Sequence, residues 1–247
     1  VGYAGSTTCK IGECVPGILP IDHVDLWIVS LTVGAEQYDC FSQSLSSDEI
    51  ARADRFKFER DRRRFVVGRG ALRRILASYL ERDPKSIHFA YGPHGKPMLA
   101  DAATSGGLEF NASGSDELAV CAVTAGRCVG VDIEFCRPIA DRDLPDQCLT
   151  TAERTVLQAM DPERRLAAFY RLWTLKEAFL KATGDGLSGP MSSVEFDMTP
   201  DRPIRLVGAP KLVSEQNCWD FVEFAPGPHH VGAVVVSGRG CELCYRT

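Results

Sequence analysis

The sequence predicts an α+β protein, and three observations predict it. Two long helical segments, Asp61–Leu80 and Leu166–Thr183, carry apolar residues at helical spacing. Two strand runs, Leu118–Thr124 and Cys128–Phe135, flank Ala125-Gly126-Arg127 and read as a β-hairpin. The two halves also share a coarse order, a helix with a basic or mixed face and then strands ending in a hairpin.

Residues 1–22 are rich in Gly, Thr, Pro and Cys without periodicity and read as a loose leader. Val24–Leu31 reads as a first strand. Ser46, with Glu49 three residues later, forms a capping box that opens a helix. In Asp61–Leu80 the apolar positions Phe65, Leu72, Leu76 and Tyr79 are separated by arginines, an amphipathic pattern. Tyr91–Pro97 carries too much Gly and Pro for either regular element and reads as a loop. After the hairpin, Asp141–Asp146 is a polar connection and Thr151 starts another helix. Gly184-Asp185-Gly186 supplies C-cap residues for the helix that ends at Thr183. Val194–Phe196, Trp219–Phe224 and Val231–Ser237 read as strands joined by Pro/Gly turns.

With 247 residues the chain can build one large domain or two small ones. Its most apolar run, Val231–Val236, is far too short to span a bilayer. No basic region precedes an apolar core at the N-terminus, so a reducing cytosol is the expected setting for the ten cysteines. Cys241 and Cys244 form a lone C-x-x-C; a zinc site wants a second pair or histidines at ligand spacing, so zinc is not the reading. Net charge is −5, yet nine arginines and one lysine fall between Arg52 and Arg74 against three acids. Most of this stretch reads as a solvated helix face, but one basic stretch on an acidic chain suits a small phosphate ligand better than DNA.

Two stretches carry chemistry. In Gly130-Val131-Asp132-Ile133-Glu134, strand alternation sends Asp132 and Glu134 to one face and Val131, Ile133 and Phe135 to the other. Paired carboxylates repel and need a cation or donors between them, and hard oxygen ligands favour Mg²⁺. A solvent-facing acidic strand edge would give the same pattern. In Trp173-Thr174-Leu175-Lys176-Glu177-Ala178-Phe179-Leu180-Lys181, Glu177 and Lys181 share a helix face. The flanks are so apolar that the helix is expected to be largely buried, with its charges paired or working at a cleft.

Together these stretches resemble the Sfp-type 4′-phosphopantetheinyl transferases, whose signatures read roughly (V/I)G(V/I)D(I/L)E and W(S/T)xKE(A/S)xxKxxGxG. Here they stand at Val129–Glu134 and Trp173–Gly186. The resemblance extends through Leu45–Phe56, Arg64–Leu76, Gly95-Lys96-Pro97 and Phe110-Asn111-Ala112-Ser113, covering nearly everything from Val24 onward. It implies two similar subdomains, each a small antiparallel sheet packed on a long helix, with the active site between them. These would be an N-terminal subdomain of residues 23–128 and a C-terminal one of 129–247. The implied activity is transfer of 4′-phosphopantetheine from coenzyme A to a serine of an apo acyl- or peptidyl-carrier protein, releasing adenosine 3′,5′-bisphosphate.

Residue by residue, the resemblance implies that Asp132, Glu134 and Glu177 hold Mg²⁺ together with the pyrophosphate of coenzyme A. Glu177 is also the implied base for the carrier serine, and Lys181 neutralises phosphate charge. Lys96, in the Gly95-Lys96-Pro97 loop, and Arg64 match cationic contacts to the nucleotide, with Arg52 a further candidate; Ser113 matches a phosphate-contacting serine. The sequence departs from the family at Gly114, where a histidine that bonds the phosphates is usual. Exposed backbone N–H groups or His94 are the candidate substitutes. Glu49 also stands where some members carry a lysine, and Arg52 is the candidate to compensate. A cytoplasmic monomer is expected, without nucleic-acid or membrane partners. Two other readings use the same residues: a degenerate member that binds coenzyme A or carrier without efficient transfer, and a metal-dependent phosphodiester hydrolase.

Overall fold

The computed structural model describes residues 19–101, 105–139, 144–184, 191–197, 204–209 and 218–247. Most of the expected leader, with Cys9 and Cys14, lies outside them, as do Asp141 and Asp185-Gly186. The chain forms two compact units, one built on Val29–Ile87 and the other on Leu19–Ile28 with His88–Tyr245.

The first unit is helical. Helices α1 (Ala35–Ser42), α2 (Ser47–Ala53) and α3 (Glu59–Leu80) follow one another. Phe41 of α1 packs on Val67 and Ala71 of α3. Gly70 is required there, because a Cβ would lie 2.7 Å from the Phe41 Cβ. The expected capping box at Ser46 and Glu49 is present. Glu49 does more than cap: its carboxylate is buried and binds the guanidinium groups of Arg69 and Arg73. Arg73 in turn donates to the carbonyls of Pro84 and Ile87 at 2.8 and 3.0 Å, which ties the chain after α3 back onto the helix.

The second unit is built of antiparallel strand pairs and one long helix. Its strands are β1 (His23–Ser30), β2 (Phe89–Tyr91), β3 (Pro97–Leu99), β4 (Leu108–Ser115), β5 (Leu118–Ala125), β6 (Val129–Phe135), β7 (Glu195–Asp197), β8 (Arg205–Gly208), β9 (Trp219–Phe224), β10 (His230–Ser237) and β11 (Glu242–Arg246). A four-stranded sheet runs β11-β1-β5-β4 and a three-stranded sheet β6-β10-β9; β2-β3 and β7-β8 form small pairs. Helices α4 (Leu144–Cys148), α5 (Thr151–Ala159) and α6 (Pro162–Thr183) belong to this unit.

The expected hairpin of Leu118–Thr124 with Cys128–Phe135 is corrected here. Strand β5 pairs with β4, and β6 pairs with β10 in the other sheet. The turn at Gly126, which has φ +65°, carries the chain from one sheet into the next rather than back along the same one. The true partner, β4, contains Asn-Ala-Ser-Gly-Ser and lacks the β-branched run that marks a strand by composition. Likewise the loop expected at Tyr91–Pro97 shrinks to the connection between β2 and β3, and Asp146 falls within α4.

These strands make a layered unit. Val24 and Leu26 of β1, Val120 and Ala122 of β5, and Val129, Val131 and Ile133 of β6 meet in one core between the two larger sheets. On the other side of the three-stranded sheet, Ala233 and Val235 of β10 pack on Leu172, Leu175, Ala178 and Phe179 of α6. Helix α6 closes with Gly184 in the left-handed region (φ +77°), as its C-cap position requires.

Candidate active site

Strand β6 divides its side chains as alternation predicts. Val129, Val131 and Ile133 enter the core between the sheets, so Gly130, Asp132 and Glu134 face the layer that holds α6. Gly130 lets the helix approach: a Cβ there would overlap the carbonyl oxygen of Ala178 and lie 2.5 Å from the Ala182 amide nitrogen. With Ala178 and Ala182 seated on Gly130, Lys181 reaches Asp132, and Glu177 comes within the electrostatic influence of Asp132 and Glu134. The buried flanks of α6 expected from its composition are present, with Leu175 and Ala178 fully buried.

The polar contacts form one network. Lys181 Nζ donates to Asp132 Oδ1 at 2.7 Å, to Ser113 Oγ at 3.2 Å and to the Val131 carbonyl at 3.3 Å. Ser113 Oγ donates to the same Asp132 oxygen at 2.7 Å, and Ser115 Oγ donates to Glu134 Oε2, also at 2.7 Å. Strand β4 therefore offers its serines to the carboxylates of β6. Burial pushes the carboxyl of Glu134 up from its ordinary value, and the charge of Asp132 adds to the push; Ser115, Lys181 and Arg137 oppose it. Burial also raises Glu177, with Asp132 and Glu134 adding to it and Lys181 opposing.

Asp132 provides the test of whether these residues suit a divalent cation. Only 4% of the residue is exposed, and its second oxygen, Oδ2, has no hydrogen-bond partner. A buried carboxylate oxygen without a donor is costly, and a cation beside it would remove that cost. Three carboxylates, two of them with pKa values raised first by burial and then by neighbouring negative charge, match the hard oxygen donors that Mg²⁺ takes. Asp132, Glu134 and Glu177 fit a divalent cation in donor type and charge. Their oxygens are not drawn together into a finished coordination sphere. Among the described residues, the only His, Cys, Asp and Glu group with ligand atoms all within 4.8 Å of one another is His23, Glu242 and Cys244.

The remaining predicted residues are placed differently. Lys96 is half-buried, and its Nζ donates to the carbonyls of Lys181 at 2.6 Å and Val129 at 3.1 Å. It thus covers the carbonyl end of α6 where β6 begins, and desolvation lowers its pKa despite the nearby Glu109 and Cys128. Gly95 takes φ +79° in the β2–β3 turn, His94 is exposed in the same turn, and Pro97 begins β3. Gly114 is exposed on β4 between the two serines, and a Cβ there would meet nothing closer than the Leu118 carbonyl at 3.4 Å. Alternation turns position 114 to the face opposite the one from which Ser113 and Ser115 reach the carboxylates. Arg52 and Arg64 belong to the first unit, on α2 and α3, where Arg52 lies over the Phe65 ring at 5.1 Å.

Sequence reasoning gave no role to several residues that shape the site. Asn111 is buried and its Oδ1 accepts from the Val131 amide at 2.9 Å, fixing β4 against β6. Ser115 was the partner of Glu134, and the repeat of serine two residues after Ser113 was the available signal. Lys176, beside Glu177, is fully buried and binds Glu153 Oε2 at 2.5 Å and the Cys148 carbonyl at 2.9 Å. Glu153 also accepts from the Phe196 amide at 3.0 Å, so this pair joins α5, α6 and β7. Burial lowers the Lys176 pKa, and Glu153 only partly opposes that.

Comparison with known proteins places the chain in a family. A family model described as the 4′-phosphopantetheinyl transferase superfamily matches residues 128–235. A second, described as 4′-phosphopantetheinyl transferase, N-terminal, matches residues 32–126. The chain is 41% identical over 222 residues to the 4′-phosphopantetheinyl transferase HetI of Nostoc sp., covering 90% of both proteins. It is 28% identical over 171 residues to the 4′-phosphopantetheinyl transferase Sfp of Bacillus subtilis, covering 69% of this chain and 74% of that protein. A crystal structure of a holo-(acyl-carrier-protein) synthase from Bacillus anthracis in complex with CoA (3′,5′-ADP) aligns with 44% of this chain and 93% of its own, at 19% identity and a TM-score of 0.38. On the two family models, and on the Nostoc likeness across nine-tenths of both sequences above all, the chain belongs to the 4′-phosphopantetheinyl transferase superfamily.

Proposed function

We propose that this protein transfers the 4′-phosphopantetheine arm of coenzyme A to a serine of an apo acyl- or peptidyl-carrier protein. The observation that carries this reading is the group of three carboxylates around Lys181, in which Asp132 keeps one buried oxygen without a donor. Mg²⁺ held by Asp132, Glu134 and Glu177 would supply charge neutralisation at the pyrophosphate. Lys181 adds a positive charge beside it. Glu177, whose carboxyl is raised toward neutrality, accepts the proton of the carrier serine directly or through a water. The serine Oγ then bonds to the phosphorus that bears pantetheine, the bond to the second phosphate breaks, and adenosine 3′,5′-bisphosphate leaves.

Ser113 and Ser115 orient Asp132 and Glu134 by donating to them, which supports a role in positioning rather than in direct phosphate contact. Lys96 holds the end of α6 in the same sense. A single chain supplies Asp132, Glu134, Glu177 and Lys181, so the reading needs no second subunit, and we take the protein as a cytoplasmic monomer. Among the described residues no helix is long and apolar enough to cross a membrane. The test is incubation with coenzyme A, Mg²⁺ and several apo-carriers. Each accepted carrier gains the mass of one phosphopantetheine, and adenosine 3′,5′-bisphosphate appears in equal amount. Phosphopantetheine freed into solution without a modified carrier would make the protein a hydrolase. Coenzyme A binding with neither product would make it a binding protein.

A further inference from the structure

We infer that His23, Glu242 and Cys244 form a second metal site, one for a borderline transition metal such as Zn²⁺, on the outer edge of the four-stranded sheet. Their ligand atoms all lie within 4.8 Å of one another, and His23 Nε2 is 3.2 Å from Glu242 Oε2. The three come from neighbouring strands: β11 is the edge of its sheet and β1 lies beside it. The amide of Glu242 donates to the Asp22 carbonyl at 2.8 Å, which fixes where the two strands meet.

Alternation sorts the two cysteines of the C-x-x-C. Cys241 and Leu243 pack against the core between the sheets, so Glu242 and Cys244 project from the opposite face. On β1, Val24 and Leu26 enter that same core, which sends His23 to the face that carries Glu242 and Cys244. Burial pushes the Cys241 thiol up to about 11, and that cysteine stays a packing residue. The motif is therefore not a paired ligand set. One of its cysteines is structural, and the other meets a histidine 219 positions away from its neighbour Glu242.

The donor set decides the class of ion. One sulfur, one imidazole nitrogen and one carboxylate oxygen suit Zn²⁺, with Co²⁺ as its spectroscopic substitute; Mg²⁺ and Ca²⁺ take oxygen alone. Tetrahedral zinc with bonds of about 2.0–2.3 Å places its ligands roughly 3.5 Å apart, so modest side-chain movement closes the set. Three protein ligands leave a fourth position for water or a small anion. Binding displaces the Cys244 thiol proton, and the ion then clips the edge strand β11 to β1.

The site is tested by adding Co²⁺ to the reduced full-length protein in excess Mg²⁺. One Co²⁺ binds per chain, with a thiolate charge-transfer band in the near ultraviolet that Zn²⁺ abolishes by competition. Cys244→Ser removes the band, His23→Gln weakens binding about tenfold or more, and Cys241→Ser leaves both unchanged. Zn²⁺ also raises the melting temperature of the parent and of Cys241→Ser, but not of Cys244→Ser. A band that survives Cys244→Ser, that disappears in Cys241→Ser, or that excess Mg²⁺ suppresses would overturn the inference. So would the absence of any band.

Discussion

Asp132 has one oxygen bonded to Lys181 and Ser113 and the other buried without a donor, and this asymmetry shapes what each site residue does. Glu177→Gln keeps the shape of the side chain but removes its capacity to accept a proton. Transfer should fall by about 10²–10⁴-fold while the melting temperature stays close to the parent. Residual activity within a few-fold of the parent would remove Glu177 from the base position. A pH effect follows from the raised carboxyls of Glu134 and Glu177, whose ordinary value is 4.5. The folded state favours their neutral forms. The stability this gives is fully present below 4.5 and is lost as pH rises through the raised folded values. A divalent cation holds them ionised, so Mg²⁺ should raise the melting temperature more at pH 8 than at pH 5. Equal shifts at both pH values would exclude these carboxylates as the cation's ligands. At this scale the sequence was informative where chemistry sits on a strand period. Asp132 and Glu134 were legible because alternation is local, whereas Asn111 and Ser115 act through β4, whose approach to β6 no local pattern records.

Two elements meet at Gly130, and the contact is between backbones. Gly130→Ala would set a methyl group against the Ala178 carbonyl, which cannot rotate away. Helix α6 must shift, at a cost of about 1–3 kcal/mol or more, and with it Glu177 and Lys181 move from β6. Chemical denaturation should show that loss together with a weakened Mg²⁺ response; parent-like values of both would mean that the two elements have slack. The second joint of α6 is the buried pair of Lys176 with Glu153. Lys176→Met leaves a buried carboxylate unpaired and should cost roughly 3–5 kcal/mol. Changing Glu153→Gln as well should recover part of it, and denaturation of the double variant checks this against each single change. The hairpin expected between β5 and β6 shows where element-level reading stops. A tight glycine turn says that the chain turns, but whether the next strand rejoins the same sheet depends on β4 and β10, distant competitors for the pairing edges.

Across the whole molecule, the basic stretch from Arg52 to Arg74 is largely occupied with its own unit. Arg69 and Arg73 bind Glu49, Arg62 binds Asp54, Arg63 lies over Tyr38 and Arg52 over Phe65. Arg55 and Lys57 are exposed, Lys57 resting over the likewise exposed Phe58 ring at 5.6 Å, and they are the cations best placed to meet an acidic partner. If carrier docking draws on them, the apparent carrier affinity falls as salt is added, and Arg55→Glu with Lys57→Glu flattens that dependence. An unchanged salt response in the double variant would remove this stretch as a docking surface. Composition displayed the excess of arginine but not its internal pairing, because Glu49 looks like a helix cap until α3 is folded over it.

The placement of β11 beside β1 has a consequence for how the chain is made. A ribosome delivers β1 long before β11, since Glu242 follows His23 by 219 positions. Until β11 is made the outer edge of β1 has no partner, and β6, which carries Asp132 and Glu134, waits equally for β10. Closing such long intervals is slow, and unpaired strand edges invite association in the meantime. The carboxylate strand is thus completed only after β10 is made, and a nascent chain stalled before β10 would expose it to solvent and to chaperones.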